Sequence, residues 1–589
     1  QSFRRTDSMK NTETAKQENT KDYNLENIEP FRPRPHFEID NRGVWWINVR
    51  TDKDGDAIEA EPQFLSDPID IIGTGQDNDG AYYRIIKFKD KITRQQKTAA
   101  LPQAEIGTVQ GWQRLQNFGL VIMSGRAKRE RLADYLQKEG SPAAFTITDR
   151  AGWNGEAYIL AGGEAVNADG ANILYNGDTS QKDGYTEKGS LKEWQEQAAR
   201  YAENNSRLCL ALGLSMAAPF LALLNEEGGG FHLAGDSSKG KTTAARLALS
   251  VWGDPETTKG NWDTTPLGLQ NLALARNDGL LVLDEIGQTA DPRKIPQMVY
   301  SVINGVSKTQ GAKDGGNRRQ KTWRNLILST GEINPESLIG DRAQWKAGNH
   351  VRLPDIQAEA RYGIYDTLHG FTDGAKLSEH INQATAKQRG TAGRALIRQI
   401  LKDGKEAAAQ AVEARRDQFL ETLPPMEGQA RRIARRFALL AAVLEYAAPI
   451  TGMRQGAGEA GVKQCFNEWL EENGTGNRED RRIIEQVTAF MDVYALSMRF
   501  SDWNTQTVNQ HHAGYRKQEG SLDEYWIIPA VFDDEVCKGY IPRKVCEVLH
   551  AYRWLKKTDN DRWQHQRKRN GIASRFYVLK GEAPPDFDE

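Results

Sequence analysis

Three apolar runs in the middle of the chain set its organisation. Gly229-Gly230-Phe231-His232-Leu233-Ala234, Leu280-Leu281-Val282-Leu283 and Asn325-Leu326-Ile327-Leu328 are short and nearly unbroken, without the alternation of a half-solvated strand. Strands buried on both faces read this way, and they belong to a parallel sheet covered by helices. Each run ends in polar residues: Gly235-Asp236-Ser237 after the first, Asp284-Glu285 after the second, Ser329-Thr330 after the third. The pattern therefore predicts a site along the C-terminal edge of that sheet. Between the first two runs, residues 261–265 and 267–276 predict a strand end and a helix. After the second, Ile295, Met298, Val299, Val302 and Ile303 fall on one helical face. Residues 208–224 are uncharged, but the stretch is short for a bilayer span, contains Pro219 and leads straight into the first strand. It predicts a helix buried against the sheet and no membrane association.

Outside the sheet the periodicity changes. Residues 1–35 are polar and predict a disordered tail. Residues 36–189 carry short β-like runs at 43–49, 81–88 and 157–160, interrupted by helical stretches at 108–118 and 127–139, and predict a separate α+β domain. The parallel-sheet core occupies 190–372, followed by a helical lid and extension over 373–500 and a polar linker over 501–520. Residues 521–589 predict a winged-helix-like unit, with a helix beginning at Pro542 and a hairpin turning at Asn570-Gly571. The fold class is α/β. Lys+Arg 78 against Asp+Glu 80 leaves a net charge of −2, so any nucleic-acid contact has to come from local patches. Cys209, Cys465, Cys537 and Cys546 form no C-x-x-C pair, which predicts a reducing, cytoplasmic setting and no metal beyond Mg²⁺. No secretory signal is legible at the N-terminus.

Chemistry enters at Gly235-Asp236-Ser237-Ser238-Lys239-Gly240-Lys241-Thr242, which fits the phosphate loop G-x-x-x-x-G-K-[ST]; Thr243 follows. Backbone N–H groups and a helix N-terminus face an anion there, Lys241 reaches the outer phosphates and the Thr242 hydroxyl suits Mg²⁺. The expected ligand is ATP with Mg²⁺. Asp284 would help hold the metal through water, Glu285 would polarise the attacking water, and Ser329 or Thr330 would touch the γ-phosphate or that water. Between the acid pair and the third strand, Lys313, Arg318, Arg319, Lys321 and Arg324 surround a Gly-Gly-Asn turn. This predicts a hairpin with a basic tip, suited to the phosphates of a DNA strand, the alternative being a solvated basic loop. Arg342 and Arg352 are candidates for a finger reaching a neighbouring subunit's nucleotide, and Arg435 for a lid contact to nucleotide, against plain surface charge for each. Arg562, Arg567, Lys568 and Arg569 cluster on the predicted wing.

Taken with Trp262-Asp263-Thr264-Thr265, Leu283-Asp284-Glu285-Ile286, Leu328-Ser329-Thr330-Gly331-Glu332, Arg352-Leu353, Arg435-Arg436-Phe437-Ala438, and Trp469-Leu470 followed by Arg499-Phe500, the chain resembles a prokaryotic family of phage and mobile-element ATPases, domain of unknown function nine-two-seven. That family is similar to ring helicases of the minichromosome-maintenance and superfamily-three kind. The resemblance implies an AAA+-like ATPase assembling as a ring, usually a hexamer. It would unwind single-stranded or forked DNA during replication of a phage or integrated element, hydrolysing ATP between subunits. No primase module is legible, so a separate primase or loader is implied. Two other readings stay open: an ATP-gated DNA-binding initiator or defence switch without unwinding, and a protein-remodelling machine. The basic hairpin disfavours the last, whose pore loop would carry an aromatic residue.

Overall fold

A computed structural model describes residues 34–167, 170–309, 311, 316–317, 320–340, 345, 347–426, 428–474, 478–505, 511–519, 522–569 and 571–582. Almost all of the expected tail, together with Lys313, Arg318, Arg319, Arg342 and Asn570, lies outside the described residues. The chain divides into two compact units, residues 1–145 and 146–589.

The first unit is α+β. Strands β1 (His36–Ile39), β2 (Val44–Ile47) and β3 (Gln63–Ser66) pair antiparallel in that order. β4 (Asp70–Gln76), β5 (Tyr82–Lys89) and β6 (Gln96–Pro102) form an antiparallel meander. Helix α1 (Val109–Asn117) starts at Thr108, whose side chain accepts a hydrogen bond from the Gly111 amide and so satisfies one of the free N–H groups of the first turn. Leu115 of α1 and Leu132, Tyr135 and Leu136 of α2 (Arg126–Lys138) share a core with Ile71, Ile86 and Leu101 of the sheets.

In the second unit, β7 (Gly152–Asn154), β8 (Ala157–Ile159) and β9 (Ala165–Asn167) form a small antiparallel sheet. These strands are too short to bury their own aromatic residues. Tyr158 stacks on Trp252 and donates its hydroxyl to Asp278 O at 2.7 Å, while Trp153 donates its indole N–H to Pro219 O at 2.9 Å. Residues 146–189, placed by sequence with the N-terminal domain, thus group with the core.

The core is a parallel sheet of β10 (Gly229–Ala234), β11 (Gly260–Asn261), β12 (Gly279–Asp284), β13 (Asn325–Gly331) and β14 (Asp355–Gln357), in spatial order β11-β12-β13-β10-β14. The sequence pattern anticipates β10, β12 and β13, and the strand end expected from residue 261 meets β11 at Asn261; β14 is too short to show a pattern. Successive residues of β12 face opposite sides, and both sides are dry. Leu280 and Val282 join α3 (Ser206–Ala217), α4 (Lys241–Ser250) and the helices of the lid region, whereas Leu281 and Leu283 join α5 (Pro266–Ala275) and α6 (Ile295–Ile303). α3 is buried along its whole length against α4 and the sheet, which explains the lack of charge from Leu208 onward, while Arg207 in its first turn is buried in an ion pair with Glu468. Among the described residues no helix is long and apolar enough to cross a membrane.

Downstream come α7 (Ala347–Arg352), α8 (Gly374–Lys387), α9 (Thr391–Asp403), α10 (Lys405–Glu421), α11 (Gly428–Tyr446), α12 (Ala457–Asn473) and α13 (Arg478–Tyr494). Part of the expected linker is structured: β15 (Gly514–Glu519) pairs antiparallel with β16 (Leu522–Ile527). Charge conceals this strand in the sequence, since Arg516 and Lys517 interrupt its apolar positions. Helix α14 (Pro542–Ala551) and the hairpin β17 (His565–Arg569) and β18 (Ile572–Lys580) follow as expected, with Arg569 opposite Ile572.

Candidate functional site

The glycine-rich loop with the phosphate-loop pattern joins β10 to α4. Gly240 caps α4 with φ +100°, and a Cβ there would meet Ile364 Cγ1 at 2.9 Å, so both backbone and space require glycine. Asp236, Ser237 and Ser238 are exposed, while Gly235, Lys239 and Gly240 are half-buried. Lys241 folds back, its Nζ donating to Gly235 O at 2.6 Å and Asp236 O at 2.7 Å. Burial pulls the Lys241 ammonium below its ordinary pKa, against the field of Glu285, Glu332, Asp236 and Asp284. Thr242 is exposed at the first turn of α4, and Thr243 turns into the core, where its side chain meets the Tyr365 hydroxyl.

The acid pair sits at the end of β12, two strands across from the loop. Asp284 Oδ1 accepts from Thr330 Oγ1 at 2.6 Å, and its Oδ2 pairs with Lys259 Nζ at 2.9 Å. The Glu285 amide donates to the same Thr330 oxygen at 3.0 Å. Glu285 has φ +53°, a left-handed conformation costing on the order of 1–3 kcal/mol for a residue with a Cβ. Strain of this kind persists where the surrounding contacts over-determine it, here the break between β12 and the turn that follows. Burial pushes the Glu285 carboxyl above its ordinary value; Lys241 opposes this, and Asp284 and Glu332 add to it.

Ser329 and Thr330 are at most 1% exposed, and both hydroxyls are occupied. Ser329 Oγ accepts from the Trp262 indole at 3.0 Å and lies 2.8 Å from His232 Nδ1, while His232 Nε2 lies 3.2 Å from Ile333 O. A neutral imidazole protonated at Nε2 satisfies every partner of this chain. Both hydroxyls, expected to touch the γ-phosphate or the lytic water, are engaged by protein partners in this structure. Thr330 holds the acid pair from behind, and Ser329 ties β13 to β10 and to Trp262, which follows β11. His232 and Trp262 are the members missed as a network; the signal was a histidine inside an otherwise apolar strand.

Burial lowers the His232 pKa to about 4, with the Ile333 carbonyl opposing and Lys241 assisting. A depressed histidine leaves the unfolded chain binding more protons between pH 6.5 and about 4. Its stabilisation is complete above pH 6.5 and is lost as pH falls through that window, with a slope approaching about 1.4 kcal/mol per pH unit. Denaturant unfolding of wild type and His232→Asn at stepped pH should show that extra slope only in wild type. Equal slopes would rule the effect out.

The arginines lie elsewhere. A cleft of about 660 Å³ at the start of β10 and β13 is lined by Arg324, Arg352, Arg432, Arg435 and Arg436, together with Glu226 and Glu227. Six strand residues separate it from the phosphate loop, roughly 17–20 Å. Arg435, the expected lid contact, pairs with Glu226 at 2.6 Å on this cleft. Arg352 ends α7, donating to Gly348 O at 3.0 Å with its guanidinium 4.6 Å from the Tyr300 ring centre. Arg436 donates to Val351 O at 2.9 Å and fills the space a Cβ on Gly229 would need; burial brings its pKa down to about 10. Among the described residues, Arg352, Arg432 and Arg436 have no carboxylate ion-pair partner. The cleft carries surplus positive charge.

Two antiparallel bridges, Val306 to Thr322 and Gly311 to Asn317, join the limbs of the expected basic hairpin, and Lys321 is exposed on one of them. On the C-terminal hairpin, Arg569 donates to Trp503 O at 2.9 Å and stacks 3.9 Å from the Tyr515 ring centre, so part of the wing's charge is structural.

A phosphate loop and an acid pair on one edge of a five-stranded parallel sheet, flanked by helices, make an α/β fold resembling an AAA+-like ATPase core. Comparison with known proteins agrees. A family model described as a domain of unknown function (DUF927) matches residues 37–322, a little under half of the chain. The solved structure of SCCmec type IV Cch, an active helicase, superposes with a TM-score of 0.69 over 94% of this chain and 98% of that one, at 18% identity. That likeness defines the fold. A second structure, NtrX from Brucella abortus, is 16% identical over 40% of this chain and 64% of that one, but its TM-score of 0.17 carries no argument. No curated protein matches the sequence.

Proposed function

We propose that this chain is an Mg²⁺·ATP-driven, ring-forming DNA helicase of a phage or integrated mobile element. The observation that carries the proposal is the convergence of Lys241, Thr242, Asp284 and Glu285 on one sheet edge, while arginines without carboxylate partners among the described residues line the opposite edge of the same chain. One subunit thus holds two incomplete halves, and stacking copies in a closed ring, here a hexamer, brings unlike halves together. Gly235, Asp236, Ser237, Ser238, Lys239 and Gly240 would wrap the phosphates, with Thr243 contributing through its backbone. Thr242 and Asp284 fit Mg²⁺, one as an exposed hydroxyl and the other as a strand-end carboxylate, and the bound ion would neutralise phosphate charge. Lys241 would stabilise charge on the transferred phosphoryl group, Glu285 would orient and deprotonate water, and Arg352 or Arg342 would serve as finger to the neighbouring subunit. The similarity to an active helicase supports the motor reading.

Lys313, Arg318, Arg319 and Lys321 would grip the DNA strand through its phosphates, giving affinity that falls steeply with salt. The expected result is ATP-dependent strand displacement on a forked duplex by wild type, with Arg318→Ala/Arg319→Ala retaining ATP hydrolysis and losing displacement. A wild type that hydrolyses ATP and binds DNA but displaces nothing, with a loader and primase supplied, would instead establish the ATP-gated switch.

A further inference from the structure

Lys259 has no role in the reading above, yet it is the nearest cation to the acid pair. Its Nζ lies 2.9 Å from Asp284 Oδ2, with both side chains largely covered. The backbone on either side is fixed. Thr258 O accepts from Arg276 at 3.0 Å, and Gly260 pairs with Leu283 at the start of β11. The other Asp284 oxygen already accepts from Thr330, so Lys259 engages the oxygen that no hydroxyl holds among the described residues. Lys241, the other lysine here, is directed to the loop carbonyls and leaves that oxygen to Lys259.

We infer that Lys259 is a positioning residue that competes with Mg²⁺ for Asp284 and so sets the Mg²⁺ concentration at which the site loads nucleotide. The inference rests on the proposed Mg²⁺·nucleotide site. An ammonium and a divalent cation cannot share one carboxylate oxygen without strong repulsion, so loading requires Lys259 to swing away. Because Lys259 immediately precedes β11, loading would also release a tie between that edge strand and the acid strand.

The test is fluorescent-nucleotide binding to the full chain titrated with Mg²⁺. Lys259→Met should reach half-maximal binding at about threefold to fivefold lower Mg²⁺ than wild type, the scale of one partly exposed ion pair. Lys259→Arg, which keeps the charge, should stay at the wild-type value. Thermal melting without Mg²⁺ checks that each variant is folded, with Lys259→Gln as the substitute if the Met variant is not. An unchanged Mg²⁺ dependence in the uncharged variant overturns the inference, as does an equal shift in the Arg variant. A wild type that binds nucleotide without Mg²⁺ dependence, or not at all, overturns the underlying site as well.

Discussion

Glu285→Gln should bind Mg²⁺·ATP with near wild-type affinity and hydrolyse it at least about a hundredfold more slowly, the usual scale for losing a positioned general base. The substitution is nearly isosteric and keeps the amide that donates to Thr330, so the left-handed turn and the Asp284 contact survive. What it removes is the proton acceptor. The environment of Glu285 suits that role. Burial lifts its carboxyl above its ordinary value, which strengthens it as a base, and Lys241 opposes the lift. The wild-type rate should accordingly fall on the acid side at a higher pH than an ordinary carboxylate would give. Phosphate release and nucleotide binding measured on the same preparations separate the effects. A variant hydrolysing within a few-fold of wild type would show that water is activated elsewhere.

The phosphate loop, the acid pair and the three long strands were legible because each has a local signature: glycines where the backbone must turn, and apolar runs that stop in carboxylates. The protein partners of Ser329 and Thr330 were not. Adjacent strand residues point to opposite faces, and their partners, Trp262 and His232 for one and Asp284 for the other, come from separate strands and loops. Only packing decides whether a hydroxyl at a strand end meets ligand or protein. The placement of Arg435 was hidden for a related reason. A charged helix downstream of a phosphate loop suggests a lid, but α11 runs beside the start of β10 and delivers its arginines to the far edge of the sheet. Lys259 carried no signal at all, since a lone lysine before a two-residue strand matches no pattern.

That far edge carries the second large effect. Arg352→Ala should bind nucleotide as wild type does, because no contact links it to the phosphate loop of its own chain, yet lose about a thousandfold in hydrolysis, the lower range for a finger acting in trans. Its guanidinium is well placed to act that way, since it ends a short helix, rests on the Tyr300 ring and has no carboxylate partner among the described residues. Arg436 holds the carbonyl of the neighbouring Val351, so the helix end is anchored, and the Arg352 head would exchange the Gly348 carbonyl for phosphate. Mixing separates trans action from indirect damage. Lys241→Ala subunits lack a working loop but keep Arg352; Arg352→Ala subunits keep the loop. Each population alone should be inactive, and an equal mixture should regain activity at about one interface in four, the chance that an intact loop faces an intact finger. A finger acting within its own chain would give no recovery, because neither kind of subunit holds both parts. Recovery that disappears on dilution would also place the competent site at the boundary between copies, which is where two half-sites at opposite edges of one sheet have to meet.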